Sequence, residues 1–363
     1  MEKIVRIVTS LNFGGVEKRI EISSAEFKKR EDVSLYVVAI GGGGAVAKSL
    51  KALNVETVLL QLKTAIPNLK AIIKLYKLLK SINPDVVHTS GAEANFHGLI
   101  AAYFAGVSVR IGEEIGFPNH RSFWKLTFNV VYRFASNVIG ISDAVVKKIV
   151  ELGEVKLSKT TVVYNPVEIT DIDFRQKKAA NDEFVFITVS RLVAIKNLDN
   201  LLRAFAQVCN DGSKTNIRLH IVGSGPDQPH LEQLALELKV FDKVLFKGFQ
   251  TDVIPFLLQA DCYILPSYSE GFSIALVEAM QARLVCLATN VGGPVEIIQE
   301  NITGMLINPH NIEDIKEKML KAIKLPADIR EAMGIAARQD VLERFTPKRY
   351  VDDLLTLYKT CRK

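Results

Sequence analysis

Two carboxylates stand eight residues apart in Glu270-Gly-Phe-Ser-Ile-Ala-Leu-Val-Glu278, with Gly271, Phe272 and Ser273 after the first and an apolar run before the second. A carboxylate beside a bound anion repels it. The pair therefore makes chemical sense as acceptors of hydrogen bonds from hydroxyls, such as those of a sugar or a ribose. Cations for an anion occur upstream, in Val189-Ser-Arg191-Leu-Val-Ala-Ile-Lys196. An Arg directly after an apolar run, with a Lys five residues on, can set two positive charges on one diphosphate. Hydroxyl acceptors and diphosphate cations on one chain point to a nucleotide-sugar chemistry.

These residues need elements to hold them. Ala260-Asp-Cys-Tyr-Ile-Leu-Pro266 is apolar, rich in β-formers and ends at a proline, so it reads as a buried parallel strand. Ser267–Gly271 is then a turn, and Ser273 caps a helix running through Met280. Glu270 falls at the mouth of this strand–loop–helix unit and Glu278 one to two turns inside the helix, whose N-terminus suits an anion. Gly14 and Gly15 follow the first strand and open the first helix, where paired glycines allow close backbone approach. Ile221-Val-Gly223-Ser-Gly225-Pro226 starts like a dinucleotide fingerprint, but it lacks the third glycine and so argues against an NAD enzyme.

The wider pattern alternates strands and helices twice. In the first half Ile4–Ser10, Val33–Ile40, Val55–Leu60, Val86–Thr89, Val107–Ile111, Asn137–Ile141 and Val162–Tyr164 read as strands. Phe184–Ser190, Leu219–Gly223, Val244–Lys247, Cys262–Leu265 and Leu284–Ala288 continue the rhythm in the second half. The expectation is α/β: two Rossmann-like, doubly wound parallel sheets. Their bounds are 1–167 and 184–346, with a polar linker at 168–183 and a last helix in 347–363. A chain of 363 residues has room for two such domains. At 48% hydrophobic and 24% charged it is of globular class, and no apolar run reaches the 18 or so residues of a membrane span. Cys209, Cys262, Cys286 and Cys361 lack metal-ligand spacing and read as reduced thiols of a cytoplasmic protein.

The motif Glu270-Gly-Phe-Ser-(x)4-Glu278 resembles the Glu-x7-Glu motif of retaining GT-B glycosyltransferases, most closely family 4 (glycosyl transferases group 1). Arg191-Leu-Val-Ala-Ile-Lys196-Asn is similar to that family's Gly-Arg-Leu motif with a following Lys-Gly/Asn, with Ser190 in place of Gly. Gly223-Ser-Gly-Pro, Lys247-Gly248-Phe249, Thr289-Asn-Val-Gly-Gly-Pro-Val-Glu296 and Gly304-Met-Leu-Ile extend the likeness over nearly the whole chain. The resemblance implies two domains facing a cleft, with a nucleotide-diphosphate sugar, UDP-linked, held by the second domain. It implies that Arg191 and Lys196 stabilise the leaving diphosphate, that Glu270 binds donor-sugar hydroxyls and that Glu278 grips the ribose. Gly14, Gly15, Gly223, Gly248, Gly271, Phe272 and Ser273 are the expected donor contacts. Glu114 stands where many members carry a sugar-contacting histidine, and is the catalytic candidate of the first domain. No metal and no cofactor beyond the nucleotide-sugar co-substrate are expected. The resemblance implies an acceptor that is a hydroxyl of a glycan or polyprenyl-diphosphate-linked saccharide in surface polysaccharide biosynthesis. A non-catalytic sugar-nucleotide-binding module and a sugar-nucleotide epimerase are the alternatives.

Other features are read more plainly. Asp171-Ile-Asp173 imitates a metal motif but has no strand before it, and His88, His97 and Ser142 read as structural. Residues 1–167 carry 22 Lys and Arg against 14 Asp and Glu, leaving a slight acidic excess in the rest. With Lys70, Lys74 and Lys77 along one predicted helix and Phe123-Trp124 beside Arg121 and Lys125, this suggests an anionic membrane surface as a partner. The expected location is the cytoplasm, peripheral on the inner face of the membrane, with no nucleic-acid partner.

Overall fold

The computed structural model describes residues 1–12, 14–118, 120, 122–174, 183–212 and 216–362. They divide into two compact units: Met1–Glu168 with Phe345–Lys363, and Ile169–Arg344. Of the segments singled out above, Phe13 beside the first glycine pair, Arg121 and residues 175–182 of the linker lie outside the described residues.

The first unit alternates β1 (Glu2–Val8), α1 (Gly15–Phe27), β2 (Val33–Ala39), α2 (Ala45–Ala52), β3 (Glu56–Leu59), α3 (Leu69–Ile82) and β4 (Val86–Ser90). It continues through α4 (Ala92–Ala105), β5 (Val109–Glu114), α5 (Ser122–Arg133), β6 (Asn137–Gly140), α6 (Asp143–Glu151) and β7 (Thr160–Val162). All pairings are parallel, in the order β3-β2-β1-β4-β5-β6-β7. The two-residue period of a strand divides the core between the sheet's faces. Ile4 and Val8 of β1 pack with α1 and α2, whereas Val5 and Ile7 pack with α3 and α4. The helix Pro347–Thr360, α14, belongs to this unit, and its Tyr350, Val351, Leu354 and Tyr358 join the core on the α1 side.

The second unit has β8 (Phe184–Val189), α7 (Leu198–Asn210), β9 (Ile217–Val222), α8 (Gln228–Glu237), β10 (Val244–Gly248), α9 (Ile254–Leu258) and β11 (Cys262–Leu265). There follow α10 (Ile274–Gln281), β12 (Val285–Thr289), α11 (Pro294–Ile297), β13 (Met305–Ile307), α12 (Ile312–Lys324) and α13 (Ala327–Arg344). Its sheet is also parallel, in the order β10-β9-β8-β11-β12-β13. Ile169–Phe174 packs with this unit: the Thr170 amide donates to Gln281 Oε1 at 2.7 Å, and Phe174 lies under the guanidinium of Arg283. The doubly wound α/β architecture is thus present twice.

Several strands depart from the sequence expectation: β1 and β9 begin two residues early, and two departures bear on the site or its frame. β5 runs three residues beyond Ile111 and ends on Glu113 and Glu114, because buried partners from distant segments receive both carboxyls. β7 lies earlier than Val162–Tyr164, behind a short 3-10 turn at Leu157–Lys159. The strand β13 lies within the Gly304-Met-Leu-Ile motif, outside the strands that the sequence pattern predicts. His88 is buried and shares a 2.6 Å hydrogen bond with Tyr358, and burial, then Arg6, push its pKa down to about 4. The His97 ring accepts from the Asn68 amide at 3.0 Å, and Ser142 caps α6 by accepting from the Val145 amide at 3.2 Å. All four cysteines are free thiols.

Candidate functional site

In an open parallel sheet the crevice for a ligand lies at the carboxyl ends of the strands, where strand order reverses. In the second unit that point lies between β8 and β11. The loop after β8 carries Arg191 and Lys196, and the loop after β11 carries Glu270. The two loops meet: Lys196 Nζ is 2.6 Å from Glu270 Oε2, both side chains being largely buried. This contact joins residues 74 positions apart and brings together the cation and the carboxylate singled out by their types alone.

Backbone contacts make the meeting rigid. Lys196 ends a single 3-10 turn, Ala194–Lys196, and Asn197 follows in the left-handed region at φ 56°. Asn197 Nδ2 donates to the Pro266 carbonyl at 2.9 Å and the Pro309 carbonyl at 2.7 Å. The Tyr268 amide donates to the Ile195 carbonyl at 2.9 Å. On the other side of the β11 loop the Gly293 amide donates to the Glu270 carbonyl at 2.9 Å, and a Cβ at Gly293 would fall 2.2 Å from the Gly271 carbonyl oxygen. Only glycine permits that approach. Gly223, after β9, is held the same way: at φ +134° its missing Cβ would sit 1.9 Å from the Ser190 carbonyl, and its amide donates to the Gly248 carbonyl at 2.8 Å. Gly248 itself has φ +65°. The loops after β8, β9, β11, β12 and β13, with the end of β10, are therefore sewn to one another around Lys196 and Glu270.

The remaining candidates of this unit fall in place around that pair. Ser273 caps α10 by accepting from the Leu276 amide at 3.2 Å, which aims the helix N-terminus at the loop holding Gly271 and the buried Phe272. Glu278, half-buried, is the fifth residue of α10. Arg191 stands exposed and makes no ion pair among the described residues. The hydroxyls of Ser190 and Ser267, one from each central loop, are buried without a hydrogen-bond partner among the described residues. Asp171 and Asp173 stand apart from this site in the chain, and the described residues hold no group of three His, Cys, Asp or Glu side chains able to hold a metal ion.

The first unit has its own switch point, between β1 and β4. Gly14 is the N-cap of α1 and Gly15 its first residue, at the end of the loop that follows β1, and Ser10 Oγ in that loop donates to Glu17 at 3.0 Å. Glu114 ends β5, next to β4, and is buried. Its carboxyl takes a short hydrogen bond from the Tyr132 hydroxyl and a longer one, 3.4 Å, from Asn95 Nδ2. Burial pushes this carboxyl up to about 7, against the lowering effect of those donors. His120 lies near it, shares a 2.7 Å hydrogen bond with Glu154 and stacks on Phe128. Neither this pair nor the sewing role of Asn197 was singled out from the sequence. His120 follows Gly116-Phe-Pro-Asn in the sequence, and nothing in its spacing announces a glutamate 34 residues on.

The raised Glu114 pKa gives a stability test. Between its unfolded and folded pKa values the folded chain holds a proton that the unfolded chain has released. This contribution to stability is fully present below pH of about 4.5 and is lost as pH rises through about 7. Glu114→Gln, isosteric and neutral, is expected to flatten that slope and to exceed wild type by up to about 3 kcal/mol at pH 8, on the scale of 1.36 kcal/mol per pKa unit. Urea denaturation across pH 5 to 8 reads it. Parallel pH profiles for the two proteins would refute a neutral buried carboxyl.

Comparison with known proteins places the chain among enzymes. The family model described as Glycosyltransferase Family 4 matches residues 13–171, and the model described as Glycosyl transferases group 1 matches residues 170–340. The capsular polysaccharide biosynthesis glycosyltransferase CapM of Staphylococcus aureus is 24% identical over 100% of this chain and 98% of its own length. The UDP-Gal:alpha-D-GlcNAc-diphosphoundecaprenol alpha-1,3-galactosyltransferase of Escherichia coli is 24% identical over 98% of this chain and 96% of its own. Among solved structures, HepE of Anabaena in complex with UDP superposes with a TM-score of 0.82 at 19% identity, over 99% of this chain and 100% of that one.

Proposed function

The chain belongs to the family 4 glycosyltransferases of the GT-B fold, and on that premise we propose that it is a retaining enzyme that moves a sugar from a UDP-linked donor to a hydroxyl of a lipid-linked glycan. The observation that carries the proposal is the Lys196–Glu270 contact at the switch point of the second sheet. A cation and a hydroxyl-accepting carboxylate held side by side suit the two halves of a nucleotide sugar. Lys196 and Arg191 take the diphosphate, Glu270 the sugar hydroxyls and Glu278 the ribose. The first unit, with Gly14 and Gly15 as donor contacts and Glu114 as its catalytic candidate at the carboxyl ends of its strands, takes part in receiving the acceptor.

As the bond from the anomeric carbon to the leaving diphosphate oxygen breaks, negative charge grows on that oxygen. Two cations and a helix N-terminus aimed at it are stronger partners in the transition state than in the ground state, and this difference is what accelerates the step. The acceptor oxygen attacks from the same face, and its proton passes to the leaving phosphate oxygen, so no protein base is required. With cations of the chain on the diphosphate, we propose that neither a metal nor a cofactor is needed. The names of the two relatives, one in capsular polysaccharide biosynthesis and one acting on a diphosphoundecaprenol acceptor, favour a role in surface glycan assembly at the inner face of the membrane.

A panel of nucleotide sugars read by thermal shift tests the donor. A UDP-sugar at a hundred times its Kd is expected to stabilise the protein by about 2.7 kcal/mol, and other nucleotides by less. UDP release with a membrane-extract acceptor should persist in excess EDTA. Stabilisation without any turnover would leave a binding module in place of the transferase, and no stabilisation by any nucleotide sugar at millimolar concentration would remove both.

A further inference from the structure

The helix α3 is divided into three stripes. Ala71, Leu75 and Leu79 are buried in the core against the sheet. Leu69, Ile73 and Tyr76 recur at helical spacing and are exposed, Leu69 at 69% of its surface. Lys70, Lys74 and Lys77 form the third stripe, one residue or about 100° further round. Lys80 extends it, and no acidic residue occurs between Leu69 and Ile82. A solvated domain helix shows a different habit. On α12 of the second unit Lys316 pairs with Glu313, and Lys318 with Glu300. None of the four lysines of α3 makes an ion pair among the described residues.

Alongside α3 lies α4, which ends in an exposed aromatic edge. Phe104 is 64% exposed, and its ring and that of Tyr103 lean on Phe134. One layer of the first unit thus presents uncovered leucine, isoleucine and aromatic side chains beside a row of unneutralised ammonium groups. A polyanion alone would use the lysines and leave the apolar stripe wet. A protein partner of ordinary polarity would not call for four like charges. A bilayer with anionic head groups satisfies both stripes at once, the lysines at the phosphates and the apolar and aromatic groups at the acyl boundary.

We propose that the face formed by α3 and the end of α4 docks this chain on an anionic lipid bilayer. The inference deepens the reading above of a lipid-linked acceptor and rests on it for its purpose. It needs no part of the donor site.

The test is cosedimentation of the full chain with vesicles of phosphatidylcholine, with and without 30% phosphatidylglycerol. Binding is expected only to the anionic vesicles and is released by 0.5 M NaCl. Lys70→Gln, Lys74→Gln and Lys77→Gln together should weaken partition on the order of 100-fold. Ile73→Ser with Tyr76→Ser should weaken it while retaining the salt dependence. Thermal shift by UDP, unchanged in all variants, reports that the chain is folded and tests the donor site separately. Vesicle binding without a nucleotide response sinks the donor reading and leaves the docking face standing. Equal binding to neutral vesicles, wild-type binding by the lysine variant, or a dimer in sedimentation velocity that Ile73→Ser with Tyr76→Ser abolishes would each overturn the proposal.

Discussion

Lys196→Ala is expected to lower kcat/KM by about 10²- to 10³-fold, the usual cost of removing one preorganised partner of developing charge. Lys196 is held by the turn that ends on it and by Asn197 behind it, so its ammonium is positioned before a donor arrives. A partner that needs no reorganisation is the kind that acts in the transition state. The loss should fall mainly on kcat, with a smaller weakening of UDP binding in equilibrium titration. The 2.6 Å contact with Glu270 offers a competing explanation, in which Lys196 only neutralises that carboxylate. A double-mutant cycle separates the two. If neutralisation were the whole role, Lys196→Met with Glu270→Gln would recover most of the activity of wild type. On the leaving-group reading the double variant stays at least as impaired as either single one. Full activity in Lys196→Ala would sink the assignment outright.

The parts of this molecule that were legible in the sequence are those where local chemistry and tertiary packing agree. Cys262–Leu265 reads as a buried strand because it is apolar, β-prone and closed by Pro266, and it is one. Ser273 reads as a cap and caps. Glu270 and Lys196 could be named from residue type and position, but their contact could not, since it depends on Asn197 reaching two carbonyls more than 60 positions away. The end of β5 was illegible for a stronger reason. Two consecutive glutamates read as a polar strand end, and only partners remote in sequence turn them into buried strand residues. Their environments then drive them in opposite directions. Glu114 meets neutral donors in a desolvated pocket and rises; Glu113 meets guanidinium groups and falls. No pattern of hydrophobicity along one strand carries that distinction.

Glu113→Gln is expected to destabilise the first unit by about 3–5 kcal/mol, the cost of leaving a buried charge without its counter-ion. Glu113 is wholly buried. Arg19 approaches both of its oxygens, Nη1 at 2.7 Å and Nη2 at 2.8 Å, and Ser90 Oγ donates at 2.6 Å. Arg6 stands 3.7 Å away and is also fully buried, with Tyr350 of α14 between the two arginines' network and the last helix. Burial works against ionisation of Glu113, but Arg19, His88 and Arg6 outweigh it and hold the carboxyl well below the usual range. Its contribution is therefore present above the unfolded pKa and lost as pH falls, opposite in sign to that of Glu114. Glutamine keeps the shape and removes the charge, so two buried guanidinium groups lose the anion they share. Arg19→Gln on the same background should then cost much less than it does alone, because the charge it removes is already uncompensated. Urea denaturation followed by probes in each unit should show the loss in the unit built on Met1–Glu168 and α14, while UDP still stabilises the second. A loss below about 1 kcal/mol, the scale of an exposed ion pair, would mean that the network is hydrated and that α14 is held by its apolar face alone.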